Sequence, residues 1–97
     1  MNNLDWLQMW YLSNCDGTWE HQYGIKISTL DNPGWAVEID LVGVERAPQG
    51  PLEQDSDLGS NDWISCKLAA GSFRGHGDPL KLDAIIGVFR HWCGDPH

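Results

Sequence analysis

The densest cluster of groups able to do chemistry is Cys15-Asp16-Gly17-Thr18-Trp19-Glu20-His21. Asp16, Glu20 and His21 are residue types that hold a metal ion or work as an acid–base set. Ligands this close in sequence need a third and fourth partner from elsewhere, and His76 and Asp78 are the candidates. The same residues also make a polar helix-to-strand connection, with Asp16 in the turn and Trp19 covering a sheet edge. That structural or binding reading is preferred here to catalysis.

Gly75-His76-Gly77-Asp78-Pro79 invites a phosphate-loop reading, because it precedes a helical pattern. It lacks the glycine spacing and the Lys-Ser/Thr of a P-loop, and Asp78 repels phosphate. As a helix cap Asp78 is already explained. No Ser, His and Asp constellation stands out, and triads are recognised by geometry that a sequence does not display. The case for an enzyme is weak.

The elements that must position these groups follow from periodicity. Asn2 is placed to cap a helix from Asn3, with Leu4, Leu7 and Tyr11 on one face and Trp6 and Trp10 beside it. Asp16-Gly17 stops that helix near Asn14. Tyr23 to Leu30 alternates as a strand, and Trp35 to Leu41 alternates more strongly. Between them Asp31-Asn32-Pro33-Gly34 predicts a type II turn, with Gly34 at positive φ. Glu45 to Asn61 is expected to be a long acidic loop. Asp62 to Ala70 resumes alternation, Gly71 to Gly77 reads as a Gly-rich loop, and Asp78-Pro79 opens a last helix. Its stripe is Leu82, Ile85, Ile86, Phe89 and Cys93, ended by Gly94 and Pro96.

The order helix, strand, strand, strand, helix lacks a βαβ crossover. It predicts an α+β fold: a small antiparallel sheet of three or four strands, with an N-terminal and a C-terminal helix packed on one face. Glu38 and Asp40 then project from the opposite face, as do Trp63 and Lys67. Aromatic anchors among charges are what a protein interface uses; an ordinary solvated face is the alternative.

Length and charge narrow the classes. The chain has 97 residues, so it has room for one core and is read as one domain. Its net charge is -8, with acids crowded before Trp63 and only Lys26 and Arg46 opposing them there. Such a field repels nucleic acid and anionic lipid and attracts basic partners, although acidity also simply confers solubility. Cys15, Cys66 and Cys93 lack metal-ligand spacing and read as thiols in a reducing cytoplasm. No stretch has the form of a signal peptide or a membrane span.

A resemblance appears across nearly the whole chain. Trp6-Leu7-Gln8-Met9-Trp10-Tyr11, the run from Cys15 to Ile27, and Thr29-Leu30-Asp31-Asn32-Pro33-Gly34-Trp35 resemble the immunity protein 53 family. Asp62-Trp63, Cys66, Phe73, Gly75, Gly77-Asp78-Pro79, Phe89 and Trp92 are similar to its C-terminal half. That family comprises small bacterial proteins of polymorphic toxin systems. The resemblance implies a cytoplasmic antidote that binds a cognate toxin protein, and it supplies no catalytic residues. The resulting expectation is a non-enzymatic immunity protein without cofactor or metal. Its partner is a toxin, expected to be a basic protein such as a nuclease, and neither nucleic acid nor membrane. The partner-binding residues are expected among Asp16, Trp19, Glu20, His21, Glu38, Asp40, Asp62 and Trp63. A general adaptor module is the alternative, and a small hydrolase using Asp16, Glu20, His21 and His76 a more distant one.

Overall fold

Asn2 caps the first helix as its side-chain type demands: Oδ1 accepts from the Asp5 N–H at 2.8 Å. In the computed structural model, which describes residues 1–44 and 52–94, this helix is α1, Asn3–Asn14. Its inward side carries Asn3, Trp6 and Leu7, with Trp10 partly buried below them. Leu4 and Tyr11 are exposed, so the inward stripe is rotated from the expected one. The reason is size: turning both indoles inward buries more apolar area than burying Leu4 and Tyr11. A short helix α2, Trp19–Gln22, follows.

The sheet holds β1 Ile25–Leu30, β2 Gly34–Asp40, β3 Glu53–Asp57, β4 Trp63–Ala69 and β5 Ser72–Gly77. They lie in the order β1-β2-β5-β4-β3, antiparallel throughout. The α+β class and the two terminal helices agree with the sequence, whereas the sheet has five strands where three or four were expected. Both additional strands sit in segments expected to be loops. Strand β3 occupies 53–57 of the expected acidic loop, and 45–51 of that loop lie outside the described residues. The expected Gly-rich loop is β5, the central strand.

Glycine in β5 is a packing device. Phe73, Gly75 and Gly77 face helix α3, Leu82–Trp92. A Cβ on Gly75 would strike Ile85 Cγ2, and one on Gly77 would lie 2.7 Å from Lys81 Cβ. Backbone without side chains lets the helix settle on the strand. Phe73 instead fills the space under Phe89, with ring centroids 5.0 Å apart. Phe89 also meets Trp10 at 5.1 Å and Trp6 at 5.8 Å. Val37, Ile39, Cys66 and Ile86 complete this core.

Turn chemistry fixes the register. Ala70 and Gly71, at φ 52 and 79, join β4 to β5 in a tight turn with both central residues at positive φ. The β1–β2 hairpin forms where expected, but not through positive φ at Gly34. Gly34 pairs with Leu30 and is buried, and a Cβ there would meet the Gly77 carbonyl oxygen. Its small size is used for close approach of two strands. Helix α3 ends on Gly94 at φ 81, as expected, but begins at Leu82 with Lys81 in the capping position. Asp78 and Pro79 make a turn before it.

Candidate partner-binding face

Helix α3 lies across β2, β5 and β4, and α1 packs against α3 on the same side. Among the described residues the opposite face carries no helix. Antiparallel register places paired residues side by side on one face, with Cβ atoms about 4.5–5.5 Å apart. One row therefore runs Lys26, Glu38, Arg74, Lys67, Glu53 across all five strands. The next row runs Ser28, Ala36, His76, Ser65, Asp55. No two members of the charged row approach within the 4.0 Å of an ion pair; the ion pairs among the described residues are those of Lys81. Arg74 Nε is buried and has no hydrogen-bond partner among the described residues.

Ala36 is a small residue of the second row, and a pit opens above it. Its volume is about 140 Å³, and Lys26, Ser28, Glu38, Arg74 and His76 rim it. Outward from the pit, β3 is exposed at every residue and presents Glu53, Asp55 and Asp57. The face is thus mixed in charge at its centre and acidic at one edge.

The expected partner-binding residues divide into three groups. Glu38 is half-buried on the open face, and Trp63 stands half-buried at the start of β4. Asp40 shares that face but is engaged: Oδ2 accepts from the Gly24 N–H at 3.0 Å and Oδ1 from the Ser72 hydroxyl at 3.1 Å. It ties the start of β1 to the start of β5.

The second group is the Asp16–His21 cluster. Asp16 Oδ1 accepts from the backbone N–H groups of Thr18 and Trp19, at 2.9 and 3.0 Å. Glu20 reaches back to the N–H groups of Asp16 and Gly17, at 2.9 and 2.7 Å. Those donors, the Trp19 N–H foremost, hold the Asp16 carboxyl below its ordinary range. Glu20 is likewise lowered, by its own backbone N–H first and then by those of Asp16 and Gly17. Reciprocal capping accounts for both acids. His21 is exposed. Trp19 is not a surface anchor: it is 3% exposed and packs against Trp10 and Tyr11 at 5.9 and 5.8 Å. Burying its indole removes more apolar area from water than edge cover would.

Asp62 belongs to a third group around Asp78. The fully buried Asp78 carboxylate accepts from the Leu80 N–H at 2.8 Å, the Trp63 N–H at 2.9 Å and Lys81 Nζ at 2.8 Å. Lys81 Nζ also contacts exposed Asp62 at 2.8 Å. The Lys81 ammonium, followed by the backbone donors and against the cost of burial, brings the Asp78 carboxyl down to about 2. Asp62 first and Asp78 second hold the Lys81 ammonium in its charged form. Asp78 is thus a clasp between β4 and α3, not a helix cap.

The hydrolase constellation does not assemble. His76 rims the pit, while Asp16, Glu20 and His21 do not. Among the described residues no three His, Cys, Asp or Glu side chains are grouped to hold a metal ion. No disulfide joins Cys15, Cys66 and Cys93. No helix among them is long and apolar enough to cross a membrane.

Sequence reasoning missed Arg74 as a functional candidate and considered His76 only for a metal or hydrolase set, not for this face. Their signal was present: Ser72, Arg74 and His76 alternate with Phe73, Gly75 and Gly77, a period of two masked by glycine. It also missed a second surface. Leu4, Tyr11, Tyr23 and Ile27, all exposed, line a groove of about 420 Å³ between α1 and the edge strand β1. Exposed apolar patches of this kind mark contact surfaces.

In comparison with known families, the family model described as Immunity protein 53 matches residues 4–94. No curated protein and no solved structure matches the chain.

Proposed function

Because the chain belongs to the immunity protein 53 family, we propose that it binds a cognate toxin domain and neutralises it by covering the surface through which that toxin acts. The observation that carries this reading is the uncovered sheet face with its row of unpaired charges. Charges that make no internal ion pair keep their full interaction for a partner, and register fixes their spacing. Five carboxylates (Glu38, Asp40, Glu53, Asp55, Asp57) and three cations (Lys26, Lys67, Arg74) stand on this face. With the net charge of -8, that balance favours a partner that is basic overall, such as a nuclease domain. Trp63 and Asp62, beside the acidic edge, extend the same surface. The protein acts by binding in the cytoplasm, not by catalysis.

Co-expression with the toxin encoded by the neighbouring gene tests the function: the chain should rescue growth, and failure to bind that toxin in vitro would sink the reading. The association rate should fall as ionic strength rises, because exposed charges are screened over about 8–10 Å at physiological salt. A flat profile would remove electrostatic steering and turn attention to the apolar groove beside β1.

A further inference from the structure

We infer that the pit over Ala36 is a socket for one acidic side chain, Asp or Glu, of the protein partner. The inference rests on the toxin-binding reading and names the chemistry at its centre. Four of the five side chains on the rim donate hydrogen bonds: the Lys26 ammonium, the Ser28 hydroxyl, the Arg74 guanidinium and the His76 ring. Glu38 is the one charged acceptor among them. Two fixed cations against one carboxylate leave the rim net positive, in a chain whose net charge is -8.

Size selects the occupant as strongly as charge does. A volume of about 140 Å³ is well below the roughly 300–1,000 Å³ of pockets that enclose a small-molecule ligand. It suits a single side chain. The socket exists because β2 carries Ala at position 36, flanked in register by Ser28 and His76; a larger residue would fill it. The Arg74 Nε is buried and has no hydrogen-bond partner among the described residues, so this donor is left unanswered within the fold. A carboxylate is the group that accepts from a guanidinium, an ammonium and a hydroxyl together. Neutral or basic side chains would leave these donors unanswered once water is expelled.

The arrangement predicts a partner that is basic over most of its contact but offers one acid to the centre. Its basic groups meet Glu38 and the acidic edge of β3. One like-charge mismatch at the centre would reject a uniformly basic surface, so the socket supplies specificity while the acidic edge of β3 supplies attraction.

Binding of the neighbouring gene's toxin to the purified chain, with association and dissociation rates, tests the socket. Lys26→Glu reverses an exposed charge on the rim, and Ala36→Leu fills the socket without changing charge. Each should weaken binding at least about tenfold, mainly by faster dissociation, as loss of a desolvated charge pair does. Lys67→Glu makes the same change in net charge from outside the socket and should act mainly on the association rate. Thermal unfolding of each variant separates binding loss from misfolding. If wild type binds and Lys26→Glu and Ala36→Leu bind as tightly, the socket is overturned while the toxin-binding reading stands. If wild type does not bind the toxin, both fall. A single-stranded oligonucleotide that binds wild type and loses binding in Lys26→Glu would overturn the carboxylate in favour of phosphate.

Discussion

The two faces of strand β5 are built from alternate residues of one six-residue stretch, and they do opposite things. Phe73, Gly75 and Gly77 face α3, where Phe73 is fully buried and the glycines let the helix touch the strand. Ser72, Arg74 and His76 face the uncovered side, where Arg74 and His76 rim the pit. The helix face is held by shape, and the other keeps charges uncommitted. Substitutions on the first should change stability, and substitutions on the second should change binding with little effect on stability.

The largest effect expected is from Phe89→Ala, which empties the centre of the aromatic cluster. Such truncations cost about 3–5 kcal/mol, much of the roughly 5–15 kcal/mol that holds a domain together. Chemical denaturation should find the variant barely folded; a midpoint near wild type would break the comparison. Gly75→Val comes next, because its side chain must displace Ile85. Overpacking of this kind costs about 1–3 kcal/mol. An unfolding midpoint equal to wild type would mean that α3 does not rest on β5 as described.

A smaller, pH-dependent effect should appear at the Asp78 clasp. Its carboxyl is lowered from 3.8 to about 2 in the folded chain. The stability it contributes is therefore fully present above the unfolded value and lost as pH falls through about 2. Urea denaturation across that window should show Asp78→Asn losing the corresponding slope. A variant as acid-sensitive as wild type would place the sensitivity elsewhere. The smallest stability change is expected of Lys26→Glu, within about 0.5 kcal/mol, since that residue is exposed and makes no ion pair among the described residues. Its effect belongs in binding.

Legibility in the sequence followed the same division. The β1–β2 hairpin, β4 and the stripe of α3 were readable because apolar periodicity records burial on one side, whereas α1 was readable from its Asn2 cap and the Asp16-Gly17 stop. Strand β5 was not, because its glycines carry no hydropathy and its meaning lies in Ile85 and Lys81 across the gap. Strand β3 was hidden for a different reason: Glu53–Asp57 buries nothing on either face, so it has no apolar alternation to show. Pairing with β4 alone makes it a strand. Trp19 was misplaced because composition cannot tell which of six tryptophans the core takes.

By itself the sequence determined the α+β class, the two terminal helices, the β1–β2 hairpin, the net charge and the residues that carry the family resemblance. Those properties are local or additive, and each can be read from a window of neighbouring residues. Only the tertiary structure decided the strand order, the rotation of α1 that buries Trp6 and Trp10, and the roles of Asp16, Glu20, Asp40 and Asp78 as internal clasps. It also decided that Lys26, Arg74 and His76 surround one pit, since antiparallel register joins residues up to 50 positions apart. Register is set by which faces must be buried together, and no single segment contains that information.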